Sequence, residues 1–267
     1  MDFKEKVLKI ASRIPKGKFL TYKKVAWLAG KPRAYRAVAN ILAGNRNPKI
    51  ACYRVIKNDH SVGGYFGSEK LSWQKAALFL KDGAVGVIPT DTIYGICAPA
   101  LDKKAVEKVY KLRRRDLKKP MIILIGSLND LRKFDIDLNV WQKKILNPAH
   151  KQVMCGINKV WPGKVSVVLP CAGKKFAYLH RGTKTLAFRL PKKRELLEIL
   201  SISGPLVAPS ANYEGEKPAK NTTQARKYFG KNVFYYGQGN LAGAPSTLID
   251  LTQKTDKIKI LRNSARK

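Results

Sequence analysis

The chain has 267 residues, 45% of them apolar, which suits one large folded domain or two smaller ones and excludes an intrinsically disordered chain. Lys and Arg number 53 against 18 Asp and Glu, a formal net charge of +35 that favours polyanionic partners, nucleic acid first, although a lysine-rich proteome gives the same composition. The longest apolar runs, such as residues 121–125, are strand-sized and far short of a bilayer, so no membrane partner is expected.

In chain order, residues 1–15 alternate charged with apolar side chains and read as an amphipathic helix, not a signal peptide. Thr21 is placed to cap a helix running through Leu28, which Gly30, Lys31 and Pro32 break. A second helix is predicted over 33–43, and two short helices around a glycine-containing turn read as helix-turn-helix. An Asn-Arg-Asn-Pro turn at 45–48, an extended piece over 50–56 and a turn-rich stretch over 57–67 follow. After Gly83 the texture changes. Strands are predicted near 84–88, 121–125, 165–169, 185–190, 205–208, 233–236, 247–251 and 258–261, and helices near 103–114, 128–134, 195–200 and 223–229. That alternation is an α/β domain, and with no low-complexity linker the junction lies between 68 and 83. Residues 1–82 carry 18 basic and 5 acidic side chains and the remainder 35 and 13, so the charge is not confined to one tail.

Cys52, Cys97, Cys155 and Cys171 form no CxxC pair, and His60, His150 and His180 stand apart from one another. No zinc pattern or disulfide framework results, so a reducing, cytoplasmic setting is expected. Two phosphate-site motifs fail. The residue five before Gly163 is Asn158 and Val165 follows Lys164, and the glycine run at 237–243 misses the dinucleotide fingerprint by one residue. Neither NAD, haem nor zinc is expected.

Three segments carry chemistry. VIPTDTIYG at 87–95 leaves a buried strand for a hydroxyl-rich turn, which suits a small polar ligand as well as an ordinary capped turn. RRRDLKKP at 113–120 can neutralise phosphates, or simply be solvated at a helix C-terminus. Pro209-Ser210-Ala211-Asn212 follows an apolar run and can bind a nucleotide or cap a helix.

Together with WPGKVSVVLP at 161–170, TLAFRLP at 185–191, PLVAPSAN at 205–212, STLIDL at 246–251 and ILR at 260–262, these segments resemble the YrdC family of threonylcarbamoyl-adenylate synthases over nearly all of 72–267. The resemblance implies a twisted mixed sheet with flanking helices and a basic concave cavity. It implies that threonine, bicarbonate and ATP with its Mg²⁺ give threonylcarbamoyl-adenylate and pyrophosphate. The product would pass to a threonylcarbamoyl transferase complex acting on the tRNA adenosine beside the anticodon. By motif, Thr90, Arg189 and Ser246 would hold threonine, while Arg113, Arg115, Thr185, Ser210, Asn212 and Arg262 would serve ATP. Arg113, Arg115, Ser210 and Asn212 would be the catalytic set, with no protein metal ligand implied. Three departures stand out: Arg113 replaces a lysine, Leu124 a histidine found in some members, and Ser166 a threonine. A binding-only relative of the YciO branch is the corresponding alternative.

Residues 13–83 resemble the C-terminal domain of methylated-DNA–protein cysteine methyltransferases, through RIPKGKFLTYKKVAWLAGKPRAYRAVANIL, Asn45, ACYRVI at 51–56, Gly63-Gly64-Tyr65 and KAALFLKDG at 75–83. That resemblance implies a small, mostly helical, winged-helix-like domain binding duplex DNA or RNA. Cys52 matches the alkyl acceptor, Asn45 the structural asparagine, Tyr22 the phosphate-rotating tyrosine and Arg36 the intercalating arginine. Asp82 matches a glutamate, and Tyr53 stands where a histidine relays the proton, so binding without efficient alkyl transfer is expected. The expected domains are 1–75 and 76–267, with a helix over 72–82 serving both. Three readings follow: an adenylate-forming enzyme with a nucleic-acid-binding module, an alkylation-repair or lesion-sensing protein with a non-catalytic RNA-binding YrdC-like domain, and an RNA-binding protein without catalysis.

Overall fold

The computed structural model describes residues 1–64, 72–146, 160–253 and 258–264. Helix α1 (Phe3–Ser12) begins in a capping box: the Asp2 carboxylate accepts from Glu5 N–H at 2.7 Å, and the Glu5 carboxylate accepts from Asp2 N–H at 3.0 Å. Strand β1 (Leu20–Thr21) runs into α2 (Tyr22–Leu28), whose Lys24 N–H donates to the predicted cap, Thr21, at 3.2 Å. Helix α3 (Tyr35–Gly44) completes the helix-turn-helix. Val7, Ala11, Val25, Ala26, Val38, Leu42 and Val55 bury one another between the three helices.

The extended piece predicted over 50–56 is corrected. Cys52–Arg54 is a 3₁₀ turn, and only β2 (Val55–Ile56) is extended, pairing in parallel with β1. β1 offers just two residues to pair with, while Arg54 is drawn inward: its Nη1 donates to Ile14 O at 2.7 Å and its Nε to Asp82 at 2.8 Å. Tyr65, the last residues of the turn-rich stretch over 57–67 and residues 68–71 of the expected junction lie outside the described residues.

The second body is a mixed sheet flanked by helices. Its strands are β3 (Gly86–Pro89), β4 (Tyr94–Pro99), β5 (Ile122–Leu124), β6 (Val165–Pro170), β7 (Thr185–Arg189), β8 (Leu206–Val207), β9 (Phe234–Tyr235), β10 (Thr247–Asp250) and β11 (Lys259–Arg262). Among the described residues nine strands run in the order β11-β10-β6-β7-β5-β8-β4-β3-β9. β6 lies parallel to β10 and antiparallel to β7, and β5 lies parallel to β7 and antiparallel to β8. The eight predicted strands all form. β4, with Gly95 and Pro99 and no alternation, was not predicted; burial on both faces, not intrinsic propensity, makes it a strand. Helix α5 (Lys103–Arg113) is capped by Asp102, and α8 (Arg194–Ser203) and α9 (Thr222–Phe229) match the sequence pattern. The helix predicted at 128–134 is 3₁₀. Short helices α6 (Val140–Leu146) and α7 (Ala177–His180) were not foreseen. Among the described residues no helix is long and apolar enough to cross a membrane.

Helix α4 (Ser72–Lys81) joins the two bodies. Its Phe79 ring stacks on Phe234 of β9 at 5.0 Å and meets the edges of Phe19 at 5.9 Å and Tyr53 at 6.1 Å. Ile56 and Val62 from the N-terminal side share one buried cluster with Ile88, Cys97, Leu124 and Leu206 from the sheet. The sheet edge is extended across the junction, with Val62 N–H donating to Tyr235 O at 2.8 Å and Tyr235 N–H to His60 O at 2.9 Å. Gly86 is required there, since a Cβ on it would fall 2.2 Å from the Phe234 ring.

Candidate functional site

The site begins where β3 ends. Past Pro89 the chain turns through Thr90, Asp91 and Thr92 before returning as β4, and the turn holds itself with hydroxyls: Thr90 Oγ1 donates to Ile93 O at 2.7 Å and lies 3.1 Å from Thr92 Oγ1. Gly243 lets a second loop lie on this turn, because a Cβ there would sit 1.8 Å from Thr92 O. That loop delivers Ser246 to the start of β10. Ser246 Oγ is 2.8 Å from Ser166 Oγ on β6, and Arg262 from β11 donates to Ser246 O at 2.9 Å and Ser246 Oγ at 3.1 Å.

Opposite stands Arg113, the last residue of α5 and only 3% exposed. It donates to Asn212 O at 3.1 Å, Ser210 Oγ at 3.1 Å and Asn212 Oδ1 at 3.3 Å. Its Nη1 has no partner among the described residues. Burial first, then neighbouring Arg115, lowers the Arg113 pKa to about 10, so the guanidinium stays charged at neutral pH. Arg115 donates to the carbonyls of Lys119 at 3.1 Å and Pro120 at 3.0 Å, closing the 115–120 loop around itself. From the end of β7, Arg189 lies 3.0 Å from Asp91, with the two side chains 4% and 7% exposed. Its Nη2 donates to Thr90 Oγ1 at 3.4 Å, and its Nε is without a partner among the described residues. Burial lowers the Arg189 pKa and the Asp91 carboxylate opposes that shift.

These groups converge. Thr90, Arg113, Arg115, Thr185, Arg189, Ser210, Ser246 and Arg262 all line one cavity of about 430 Å³. Of the residues expected to hold threonine or ATP, only Asn212 is absent from the wall. It is buried behind Arg113, with its amide committed to the carbonyls of Tyr213 and Glu216. Thr92, which lines the cavity, and Asp91, which pairs with Arg189, were not singled out. The Thr-Asp-Thr triplet at 90–92 was the available signal, but which of its side chains meets Arg189 depends on β7 arriving from elsewhere in the chain. The wall combines hydroxyls and guanidiniums, a surface for an anionic, polyhydroxylated ligand.

The N-terminal set is also brought together. Asn45 Nδ2 donates to Cys52 Sγ at 3.2 Å, and the Tyr53 hydroxyl donates to Asp82 at 2.7 Å. Arg54 shares the same Asp82 oxygen at 2.8 Å. Burial pushes the Cys52 thiol up, and burial plus the Asp82 hydrogen bond pushes the Tyr53 phenol to about 12. Tyr22 at the start of α2 lies over Lys75, whose Nζ is 3.4 Å from the Tyr22 hydroxyl and 2.5 Å from Val55 O. Arg36 is exposed in the first turn of α3.

The family profile for Sua5, YciO and YrdC proteins, described as "Telomere recombination", matches residues 78–264, and that for the "6-O-methylguanine DNA methyltransferase, DNA binding domain" matches 2–83. Both therefore claim 78–83, the end of α4 and the turn after it. A threonylcarbamoyl-AMP synthase of Pyrococcus abyssi is 32% identical over 182 residues, 67% of this chain and 50% of the relative, so the chain spans half that protein's length. One from Hahella chejuensis is 30% identical over 66% of this chain and 92% of its own. A solved structure of P. abyssi Sua5 complexed with L-threonine matches with a TM-score of 0.62 at 27% identity, over 73% of this chain and 54% of that one. The chain belongs to the Sua5/YciO/YrdC family and carries ahead of it a DNA-binding domain of the 6-O-methylguanine DNA methyltransferase type.

Proposed function

We propose that the C-terminal body makes L-threonylcarbamoyladenylate from L-threonine, bicarbonate and ATP, for threonylcarbamoyl modification of the tRNA adenosine beside the anticodon. The observation that carries this reading is the meeting of eight motif residues in one cavity. The threonine amine attacks the bicarbonate carbon and water leaves, giving a carbamate. A carbamate oxygen then attacks the α-phosphorus of ATP, the bond to the bridging oxygen breaks, and pyrophosphate departs. Such chemistry asks the protein for positioning and charge neutralisation rather than a nucleophile. Arg189 with Thr90 and Ser246 would hold threonine, the guanidinium facing its carboxylate. Arg113, Arg115, Thr185, Ser210 and Arg262 would face ATP, with Asn212 positioning Arg113 from behind. Mg²⁺ would enter as part of the substrate: among the described residues the wall offers hydroxyls and guanidiniums but no carboxylate, which suits a nucleotide bringing its own cation.

The expected result is pyrophosphate release from Mg-ATP that requires both threonine and bicarbonate and falls at least about a hundredfold in Arg113→Ala, the scale of losing a preorganised transition-state donor. Release indifferent to threonine would overturn the reading. The product would pass to a separate threonylcarbamoyl transferase.

The N-terminal module, in the same reading, binds nucleic acid through Tyr22 and Arg36 without efficient alkyl transfer. A thiol pushed up by burial is mostly un-ionised at neutral pH. Tyr53 is a donor to Asp82 rather than a base, and its pKa of about 12 keeps it so. With DNA carrying a labelled alkylguanine, Cys52 should remain unlabelled; one label per chain would refute this.

A further inference from the structure

Helix α5 leads from the junction of the two bodies to the cavity. At its start, Asp102 lies beside the turn after α4, where a Cβ on Gly83 would be 2.8 Å from Asp102 Oδ2. That turn in turn touches the N-terminal loop, where a Cβ on Gly17 would be 3.2 Å from Asp82 O. At its end stand Arg113 and Arg115, on the cavity wall. The helix is about 16 Å long, and its solvent face presents Lys104, Lys108 and Lys111 at steps of about 6 and 4.5 Å along the axis. Lys16 and Lys18 are also exposed, on the N-terminal loop that meets the turn before this helix.

Among the described residues, the carboxylates on the helix and at its ends have partners of their own. Glu107 pairs with Arg181 at 2.9 Å, and Asp102 caps Ala105 N–H at 3.1 Å. Asp82 holds Tyr53 and Arg54, and Glu214 holds Lys119 at 2.8 Å and the Asp116 N–H. Lys16 and Lys18 flank Gly17, whose approach to the turn after α4 brings their loop to the start of α5. The Lys108 pKa is lowered, by burial first and by Lys18 second. A polyanion laid on such a row of exposed lysines gains ion pairs and releases its condensed counterions.

We propose that α5 and the Lys16–Lys18 loop form a ridge that binds the phosphate backbone of tRNA across both modules, beside the mouth of the cavity. The choice of tRNA rests on the function proposed above; the ridge itself rests on the placement of its lysines.

The test is anisotropy of a labelled tRNA transcript with the full chain across a KCl series, comparing wild type with the combined Lys104→Gln, Lys108→Gln, Lys111→Gln protein and with Lys18→Gln alone. Each lost phosphate contact lowers the slope of log affinity against log salt by about 0.7–0.9. The triple variant should therefore lose about 2–3 from the slope and bind tRNA at least about tenfold more weakly at low salt, and Lys18→Gln should lose just under 1. Pyrophosphate release in the absence of tRNA, and the melting temperature, should not change. An unchanged tRNA affinity and slope would overturn the proposal, as would a loss confined to duplex DNA of matched length. If the wild type shows no threonine-dependent release but the tRNA slope falls as stated, the enzyme reading fails and the ridge stands.

Discussion

Replacing Arg189 with alanine should lower stability by about 3–5 kcal/mol, the cost of breaking a buried pair from one side, and should abolish threonine-dependent pyrophosphate release. The reason is the neighbour left behind. Asp91 is 7% exposed and its charge has Arg189 beside it at 3.0 Å. Without that guanidinium a carboxylate sits desolvated and uncompensated, whereas the alanine cavity alone costs less. In the double variant Arg189→Ala, Asp91→Ala both charges go, so most of the stability should return while release stays absent. For a chain of this size the single variant should melt roughly 10 °C lower than the double. Thermal melts and the pyrophosphate assay on the same preparations separate the two roles. A double variant that regains threonine-dependent release would show that Arg189 does not hold the substrate. A single variant as stable as the double would show that the pair is not coupled in the folded state.

Removing residues 1–64 should leave a C-terminal fragment unable to fold to a stable monomer. The truncation uncovers the face of α4 that Phe19, Tyr53, Ile56 and Val62 now cover, and strips the strand-like segment at 60–62 from the β9 edge. Losing the burial of three or four large apolar side chains costs about 5 kcal/mol or more at roughly 1.5–3 kcal/mol each, comparable to the whole stability of a domain. The exposed edge also invites pairing between copies. Size-exclusion chromatography and a thermal melt check this directly. A soluble monomeric fragment melting where the full chain melts would mean that the two bodies merely touch.

How much was legible in advance differs between the two halves. The cap at Thr21, the helix-turn-helix and the predicted strands of the large sheet rest on local rules: a side-chain acceptor for orphaned N–H groups, a period of apolar residues, a glycine that breaks a helix. Such rules act over a few residues, so one sequence displays them. They also explain the misreading at 50–56, where apolar content suggested a strand but Asp82 and Ile14, contributed from elsewhere in the chain, drew Arg54 inward and left a 3₁₀ turn. β4 escaped notice for the converse reason, since burial on both faces made a strand of residues with little propensity for one.

The residue types of the site were likewise present in the sequence: the hydroxyl turn at 90–92, the arginines at 113–115 and 189, and Ser210 with Asn212. Their chemistry alone was compatible with a small polar ligand and with phosphates, and the order of their motifs pointed to a family. What the sequence determined by itself was therefore the kind of elements, the charge and the chemical inventory. The partnerships were decided only by the tertiary structure: Asp91 with Arg189, Ser166 with Ser246, Asn212 behind Arg113 rather than on the wall, and α5 carrying lysines from the module junction to the cavity. Each joins residues distant in sequence, and those distances close only when the sheet assembles and α4 packs on both bodies.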